Sequence, residues 1–224
     1  MVFTFFARAM KTMLREHAWF FWTYAIFLAI GIVIISLGNQ MHVQLMLNKL
    51  HLPTLDYFFK YSTHLASGYS ILAFTVLFLF LKIKWGLLVA LSQLISAPVT
   101  QFLKRGVFDW VFRPGFYYEQ MSEITPHLVE GVNLQHKFSF PSGHATAAFI
   151  LFLALALTNK NKILNFFLAF CAVIVSYSRV YISQHFMEDI LVGSLIGVMG
   201  AWLAYFFINL SLTNNNWMKK GLLK

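Results

Sequence analysis

The sequence contains little of what builds a soluble or disulfide-bonded domain. Its one cysteine, Cys171, lies within an apolar run, which excludes intramolecular disulfides and thiolate metal cages. Charged residues make up only 11% of the 224 residues, whereas 59% are hydrophobic and the mean hydropathy is +0.67. A chain so poor in charge predicts an integral membrane protein.

Apolar runs that can cross a hydrocarbon layer of ~30 Å as helices recur along the chain. We expect an all-α, polytopic membrane protein, a bundle of six transmembrane helices in one domain that covers residues 1–224. The predicted spans are Ala18–Leu37, Tyr61–Leu81, Trp85–Leu103, Ser142–Asn159, Ile163–Ser178 and Ile190–Leu210. Residues 1–17 mix basic and large apolar side chains, which favours an N-terminal interfacial helix about as much as an ordinary basic flank.

The net charge of +9 is distributed unevenly along the chain. If the N-terminus is cytoplasmic, six spans place ten cations and one acid, Glu16, on the cytoplasmic side, and seven cations and seven acids on the other. This asymmetry is typical of the positive-inside rule and does not form the basic stripe of a nucleic-acid interface. We therefore expect membrane lipids and no nucleic acid as partners; protein partners are not predicted.

The same topology brings three polar clusters to the non-cytoplasmic face. They are Lys104–Arg113, Phe140–His144 and Ser178–Asp189, which follow the third span, precede the fourth and join the last two. Polar residues at the edge of a membrane bundle are costly unless they serve a site, so we expect the clusters to converge on one pocket.

The last cluster contains a histidine and an aspartate with helical spacing. His185 and Asp189 lie four residues apart, so the carboxylate can hold one ring nitrogen and leave the other as a nucleophile or general base. A structural His–Asp pair at a helix start is the simpler alternative. The guanidinium of Arg179 suits a phosphate or carboxylate, although an arginine that anchors lipid headgroups would explain it as well.

The sequence FPSGH in the middle cluster predicts a helix start. Unpaired N–H groups of Ser142, Gly143 and His144 would form an anion site there. His144 has no nearby carboxylate and suits a proton donor to a leaving oxygen. A plain helix cap explains the first residues equally well but does not explain the histidine.

The first cluster supplies further cations. Lys104 continues a polar stripe of the third span, Arg105 continues a neighbouring stripe about 100° away, and Arg113 follows in the loop. We favour Lys104 as the inward residue; interfacial snorkelling is the alternative for either.

Several cations, a helix N-terminus and two histidines are the groups that phosphoryl transfer requires. The sequences of these clusters resemble motifs of the type 2 phosphatidic acid phosphatase superfamily. SRVYISQHFMED fits its Ser-Arg, five residues, His, three residues, Asp pattern; FPSGH fits its Pro-Ser-Gly-His element; KRGVFDWVFRP is similar to its Lys-to-Arg-Pro element. The first motif has eight residues between Lys104 and Arg113, and seven after Arg105, where the family has six. The motifs cover only residues 104–189.

The resemblance implies a lipid phosphate or diphosphate phosphatase with six spans and no cofactor or metal. It implies that His185 attacks phosphorus, Asp189 orients it and His144 protonates the leaving group. The phosphate-binding set is then Lys104 or Arg105 with Arg113, Ser142, Gly143 and Arg179.

Relatives of this kind act on undecaprenyl diphosphate, phosphatidylglycerol phosphate, phosphatidate and lipid A, so the expected location is the inner membrane of a bacterium, with cytoplasmic termini and a periplasmic or extracellular site. Three alternatives stay open: a lipid phosphotransferase, a non-enzymatic transporter of anionic lipid, and metal-dependent chemistry at residues such as His127, Glu130 and His136. Residues 115–138 form a long segment that we expect over the entrance, although a simple connector is as good an account.

Overall fold

The computed structural model describes residues 10–121, 125–212 and 220–222, and it contains helices and no strand within these ranges. Residues 10–16 are helical. The helices that follow are α1 (Ala18–Ile35), α2 (Gln40–Asn48), α3 (Pro53–Ser62), α4 (Gly68–Leu81), α5 (Ile83–Phe102), α6 (Pro114–Tyr118), α7 (Gly143–Leu157), α8 (Lys162–Tyr181) and α9 (Met187–Leu212). A 3₁₀ turn, Thr63–Ala66, links α3 to α4, and a π-helical turn, Leu103–Val107, extends α5.

Four helical stretches are long and apolar enough to cross a membrane. They are Ala18–Ile35, Ile83–Val107, Lys162–Tyr181 and Met187–Leu210. Pro53–Ala66 and Gly68–Leu81 make a pair bent by 56°, and Gly143–Leu157 is a shorter apolar helix. The apolar runs thus become membrane helices, and the chain is an integral membrane protein.

The predicted continuous span Tyr61–Leu81 is wrong, because the helix breaks at Ser67. Ser67 has extended backbone angles, and its hydroxyl accepts a hydrogen bond from the backbone N–H of Ser70. Serine is a favoured N-cap residue, so a new helix begins at Gly68. The first part of the predicted span instead forms the end of α3 and the 3₁₀ turn, which bend over the end of the bundle that carries the polar clusters.

The centre of the bundle is α7, whose residues are buried along most of its length. Helices α5, α8 and α9 surround it. Gly193 and Gly197 of α9 lie directly against the backbone carbonyls of Ser142 and Thr146 of α7, where a Cβ atom would collide. The four-residue repeat of small residues on α9 therefore serves close helix packing, and it fixes Asp189 at the start of α7.

The two ends of the bundle differ in their charged groups. At one end, Lys160 pairs with Glu16 at 2.9 Å, and the backbone N–H of Ile83 donates to the carbonyl of Lys220. This end gathers the basic loops that the sequence assigns to the cytoplasm. The three polar clusters meet at the opposite end.

Candidate active site

His185 and Asp189 form a buried pair where the chain passes from α8 into α9. Nδ1 of His185 lies 3.0 Å from Oδ2 of Asp189, and the two side chains are 2% and 3% exposed. The same carboxylate oxygen accepts hydrogen bonds from the hydroxyl of Ser139 and from the backbone N–H of Phe186, the latter at 3.0 Å. These donors fix the carboxylate, which in turn fixes the ring and leaves Nε2 without a protein partner among the described residues.

Positive charges surround this imidazole. Burial lowers the pKa of His185 well below its ordinary value, and the charges of Arg113, Lys104 and Arg179 lower it further. The ring is therefore neutral at neutral pH, and its unpaired nitrogen has a lone pair in a field that attracts anions. His144 belongs to the same electrostatic neighbourhood.

The sequence reasoning placed two cations at the end of the third span, and the structure separates them. Lys104 is 8% exposed, and it continues a column of buried hydroxyl residues on α5, namely Ser92, Ser96 and Thr100. Arg105 is exposed, and its guanidinium lies 5.4 Å from the ring of Phe138. Arg105, expected as a possible phosphate ligand, thus lies on the exposed side of the turn, whereas Lys104 is buried.

The irregular spacing of the first motif coincides with irregular backbone. The π-helical turn Leu103–Val107 holds Lys104, and a tight turn closed by the N–H of Val111 and the carbonyl of Phe108 follows it. A π turn accommodates an additional residue without ending the helix. The longer stretch between Lys104 and Arg113 is absorbed in this way, and both cations still reach the same site.

Arg113 also fastens the loop that precedes α7. Its Nε donates to the carbonyl of Lys137 at 2.9 Å, and Nη1 donates to both the carbonyl and the side-chain oxygen of Gln184. The arginine therefore connects the segment before α7 to the residue next to His185. Burial lowers its pKa, an effect that the charge of Asp189 opposes.

The beginning of α7 faces this cluster. Ser142 is the N-cap, and its hydroxyl accepts from the N–H of Ala145. The expectation that the Ser142 N–H is free for an anion is wrong, because this N–H donates to the carbonyl of Asp189 at 3.0 Å. The N–H groups of Gly143 and His144 have no partner among the described residues, and both residues are half-buried. They are the donors that remain for an anion.

Arg179 stands at the end of α8, 8% exposed. Its Nη1 donates to the hydroxyl of Thr63 at 2.9 Å, whereas its Nε is buried without a partner. A buried, unpaired donor on a charged group is costly and indicates a missing acceptor. Thr63 comes from the 3₁₀ turn after α3, a segment that the sequence did not connect with the site.

Sequence reasoning missed three residues that hold functional side chains in place: Ser139 on Asp189, Thr63 on Arg179, and Gln184 on Arg113. Gln184 lies inside the last polar cluster and Ser139 immediately precedes the middle one, so their position in the chain was the available signal. Thr63 had none, because only the fold brings it to Arg179.

A second histidine–aspartate pair fastens the segment between α6 and α7. Nε2 of His127 lies 2.9 Å from Asp56 of α3, which also accepts from the hydroxyl of Tyr181 at 2.7 Å. The ring of His127 stacks on that of His51, with 3.9 Å between centroids. The backbone of His127 exchanges two hydrogen bonds with the side chain of Asn48. The segment is thereby tied to α2, α3 and the end of α8.

Residues 10–121, 125–212 and 220–222 contain no group of three or more histidine, cysteine or acidic side chains that could hold a metal ion. His136, weighed as a metal ligand, pairs with Glu119 at 3.1 Å.

The assembled site combines a neutral, oriented imidazole, a second histidine, three cations and two free backbone donors. This arrangement suits a tetrahedral oxyanion group that is attacked from one side by Nε2 and that loses a leaving oxygen toward His144.

Comparisons with known proteins find a matching family model and related phosphatases. The family model described as the PAP2 superfamily matches residues 84–212, more than half of the chain. A segment of 69 residues is 38% identical to "Lipid A 4'-phosphatase" of Bacteroides thetaiotaomicron (strain ATCC 29148) and covers 31% of each protein. The chain therefore aligns with about a third of the length of this curated relative.

Two crystal structures share the fold. LpxE of Aquifex aeolicus has a TM-score of 0.65 at 23% identity, over 75% of this chain and 96% of that one. The PAP2-type phosphatidylglycerolphosphate phosphatase of Bacillus subtilis has a TM-score of 0.55 at 22% identity, over 89% and 99%. At these identities the likeness concerns the fold alone.

Proposed function

The chain belongs to the PAP2 superfamily, and from this premise we propose that it is an integral membrane lipid phosphatase that hydrolyses a lipid phosphate or diphosphate through a phosphohistidine intermediate. The observation that carries the proposal is the state of His185. Its ring is neutral, Asp189 holds Nδ1, and the free Nε2 lies among Lys104, Arg113 and Arg179. An ordinary structural His–Asp pair has no need for three neighbouring cations, two of which, Lys104 and Arg179, are buried.

The reaction has two steps. Nε2 of His185 forms a bond to phosphorus while the P–O bond to the lipid breaks, and the leaving oxygen takes a proton from His144. Water then attacks the phosphohistidine and gives its proton to His144; the P–N bond breaks and inorganic phosphate leaves. The substrate anion itself favours the protonated form of His144 in the first step. The cations and the N–H groups of Gly143 and His144 stabilise the charge on the non-bridging oxygens.

The lipid character of the substrate is supported by a groove between α4 and α5. It has a volume of about 750 Å³ and is lined mainly by apolar side chains, with Thr75, Gln93 and Gln101 as polar exceptions. Gly68 marks one end of the groove, four residues after His64, and Gln101 lies one helical turn before Arg105. An acyl or prenyl tail in this groove leaves its headgroup phosphate at the level of the site.

The proposed topology follows from the two ends of the bundle. The six proposed spans, in a single domain of residues 1–224, comprise the four long apolar stretches, which are α1, α5 with its π turn, α8 and α9. The bent pair and the shorter apolar helix α7 are counted as the other two. The basic end faces the cytoplasm of a bacterium, residues 10–16 belong to a helix at that interface, and the site opens on the periplasmic or extracellular side of the inner membrane. Residues 1–9 of the predicted interfacial helix lie outside the described residues.

Phosphate release by the purified protein in detergent, with chelator present, tests the reaction. The panel consists of undecaprenyl diphosphate, phosphatidylglycerol phosphate, phosphatidate and lipid A. We expect release without an added acceptor; release that requires a lipid or sugar acceptor would make the protein a phosphotransferase. Loss of activity in chelator would replace the proposal with a metal-dependent one.

The role of His144 is tested with leaving groups of different basicity. His144→Ala should lower kcat on a lipid phosphate by about 10²–10³-fold, the usual contribution of a general acid. On an aryl phosphate, whose leaving oxygen needs no proton, the loss should be much smaller. His136→Ala is the matched control, since that ring is exposed and pairs with Glu119 outside the cluster. Equal losses on both substrates would remove His144 as the proton donor.

A further inference from the structure

A second cavity adjoins the site on the far side of Arg179. It has a volume of about 300 Å³, and its lining includes Lys60 of α3, His64 of the 3₁₀ turn, and Asn133 and Gln135 of the segment between α6 and α7. Neither Lys104, His144 nor His185 lines this cavity. It is therefore a separate space that shares Arg179 with the site of phosphoryl transfer.

Two cations, Arg179 and Lys60, line the cavity together with the imidazole of His64. No carboxylate among the described residues lines it. Nζ of Lys60 donates to the carbonyl of Glu130 at 2.7 Å, a contact that positions the ammonium but leaves its charge unneutralised. The nearby carboxylate of Asp56 is already occupied by His127 and Tyr181.

The buried Arg179 lies next to both spaces, and its charge acts on both. The hydroxyl of Thr63 accepts a hydrogen bond from Nη1 of Arg179, whereas the buried Nε of Arg179 has no acceptor among the described residues. The charge of Arg179 acts on both histidines of the site, and His64 acts on His144. An anion bound between Lys60 and Arg179 would satisfy charges that the protein leaves unpaired.

We propose that this cavity, which we call the headgroup subsite (Lys60, Thr63, His64, Asn133, Arg179 and Gln184), binds a second anionic group on the headgroup of the lipid substrate. The inference rests on the proposed function and deepens it, since it names the substrate class as a lipid with two phosphate groups. The first phosphate reacts at His185 and the second is held at the subsite, with Arg179 between them. The side-chain amides of Asn133 and Gln135 suit hydroxyl groups between the phosphates.

The subsite is a property of this chain beyond the family motifs. Lys60, Thr63 and His64 precede residues 84–212, the part that the family model matches. The subsite thus connects the N-terminal helices to the site of phosphoryl transfer, and it gives the bend between α3 and α4 a function.

The experiment compares two lipids with the same acyl chains in the same detergent. Phosphatidylglycerol phosphate has a second phosphate in its headgroup, and phosphatidate does not. In the double variant Lys60→Gln/His64→Gln, the ratio of kcat/KM for the first lipid to that for the second should fall by about tenfold or more, mainly through KM, the loss expected for a charge-assisted contact.

Two further variants make the result specific. Lys49→Gln removes an exposed lysine at the end of α2 that lies outside the subsite, and it should keep the wild-type ratio. Lys60→Arg preserves the charge and should keep most of the preference. An unchanged ratio in a double variant that melts at the wild-type temperature would overturn the proposal, as would an equal loss on both lipids.

A binding measurement separates this inference from the proposed function. Methylenediphosphonate, which has two phosphonate groups and no P–O–P bond, should raise the melting temperature of the wild type more than inorganic phosphate does, and the double variant should lose this difference. A wild type that releases no phosphate but shows this difference would refute the phosphatase and keep the subsite. Equal stabilisation by the two anions in the wild type would refute the subsite alone.

Discussion

The part of the chain that the structure describes contains two histidine–aspartate pairs with nearly the same nitrogen–oxygen distance. Nδ1 of His185 lies 3.0 Å from Asp189, and Nε2 of His127 lies 2.9 Å from Asp56. Their surroundings differ. The first pair is 2% and 3% exposed and faces three cations, whereas the second is 27% and 19% exposed and faces a tyrosine hydroxyl and a stacked histidine ring.

The difference shows that the pair by itself does not make a nucleophile. At Asp56 the carboxylate connects chain segments, because it joins His127 of a loop to Tyr181 of α8. At Asp189 the other donors are a serine and a backbone N–H, so the carboxylate is held in place and its one imidazole points into a field of positive charge. Under the proposed function, burial and neighbouring cations distinguish the reactive pair from the structural one.

Removal of each histidine is the strongest test of this contrast. His185→Ala should lower phosphate release by at least about 10³-fold, because the group that bonds to phosphorus is lost. His127→Ala should stay within about tenfold of the wild type. Initial rates on the preferred lipid, with melting temperatures as a check on folding, give the answer; similar losses in the two variants would erase the distinction.

Substitution of the two aspartates should give a smaller contrast of the same sign. Asp189→Asn keeps the shape of the side chain but removes the charge that holds Nδ1–H, and we expect kcat to fall about 10²-fold or more with little change in KM. Asp56→Asn should change kcat only a few-fold. Rapid acid-free quenching with labelled substrate adds a direct readout, since the alkali-stable label expected on His185 should decline in parallel with kcat.

The sequence predicted the contacts at the polar end of the bundle well because its signals are local. The four-residue spacing of His185 and Asp189 predicted their contact, although His185 lies just before α9 begins and is not on its face. The stripe that ends at Lys104 fixes a face of α5. All three residues are buried, and Arg105 on the neighbouring stripe is exposed. The small residues of α9 also predicted which face would pack closely.

The N-terminal half was predicted less well because its roles depend on distant contacts. The run Tyr61–Leu81 contains no Asp, Glu, Lys or Arg, and hydropathy alone favoured one span; the Ser67-Gly68 step that caps a new helix was the overlooked signal. The contact of Thr63 with Arg179 joins residues 116 positions apart, and no periodicity records it. The π turn before Arg113 likewise depends on local packing that composition does not reveal.

Acid sensitivity should distinguish the buried pair by its effect on stability. An unfolded histidine has a pKa near 6.5, and the folded His185 has a pKa well below that value. As the pH falls below about 6.5, the His185 side chain binds a proton in the unfolded chain but not in the folded one. Its contribution therefore lowers the free energy of unfolding by up to ~1.4 kcal/mol per pH unit. His185→Gln removes this contribution. The melting temperature of the wild type should therefore decline more steeply from pH 7 to pH 5 than that of the variant, and parallel curves would show that His185 titrates normally.

The weakest expected effect concerns the structural pair and its tyrosine. The hydroxyl of Tyr181 donates to Asp56 at 2.7 Å, and His127 contacts the same carboxylate, so Tyr181→Phe and His127→Ala should each cost about 1 kcal/mol of local stability. Hydrogen exchange of the amides in residues 125–136 measures that opening directly, because this segment is tied to α3 at Asp56 and, separately, at Lys60. The double variant should lose less than the sum of the single losses, since both partners act through one carboxylate. Strict additivity would mean that the two side chains hold the segment independently, and Asp56 would then not be the junction that distinguishes this pair from the one at His185.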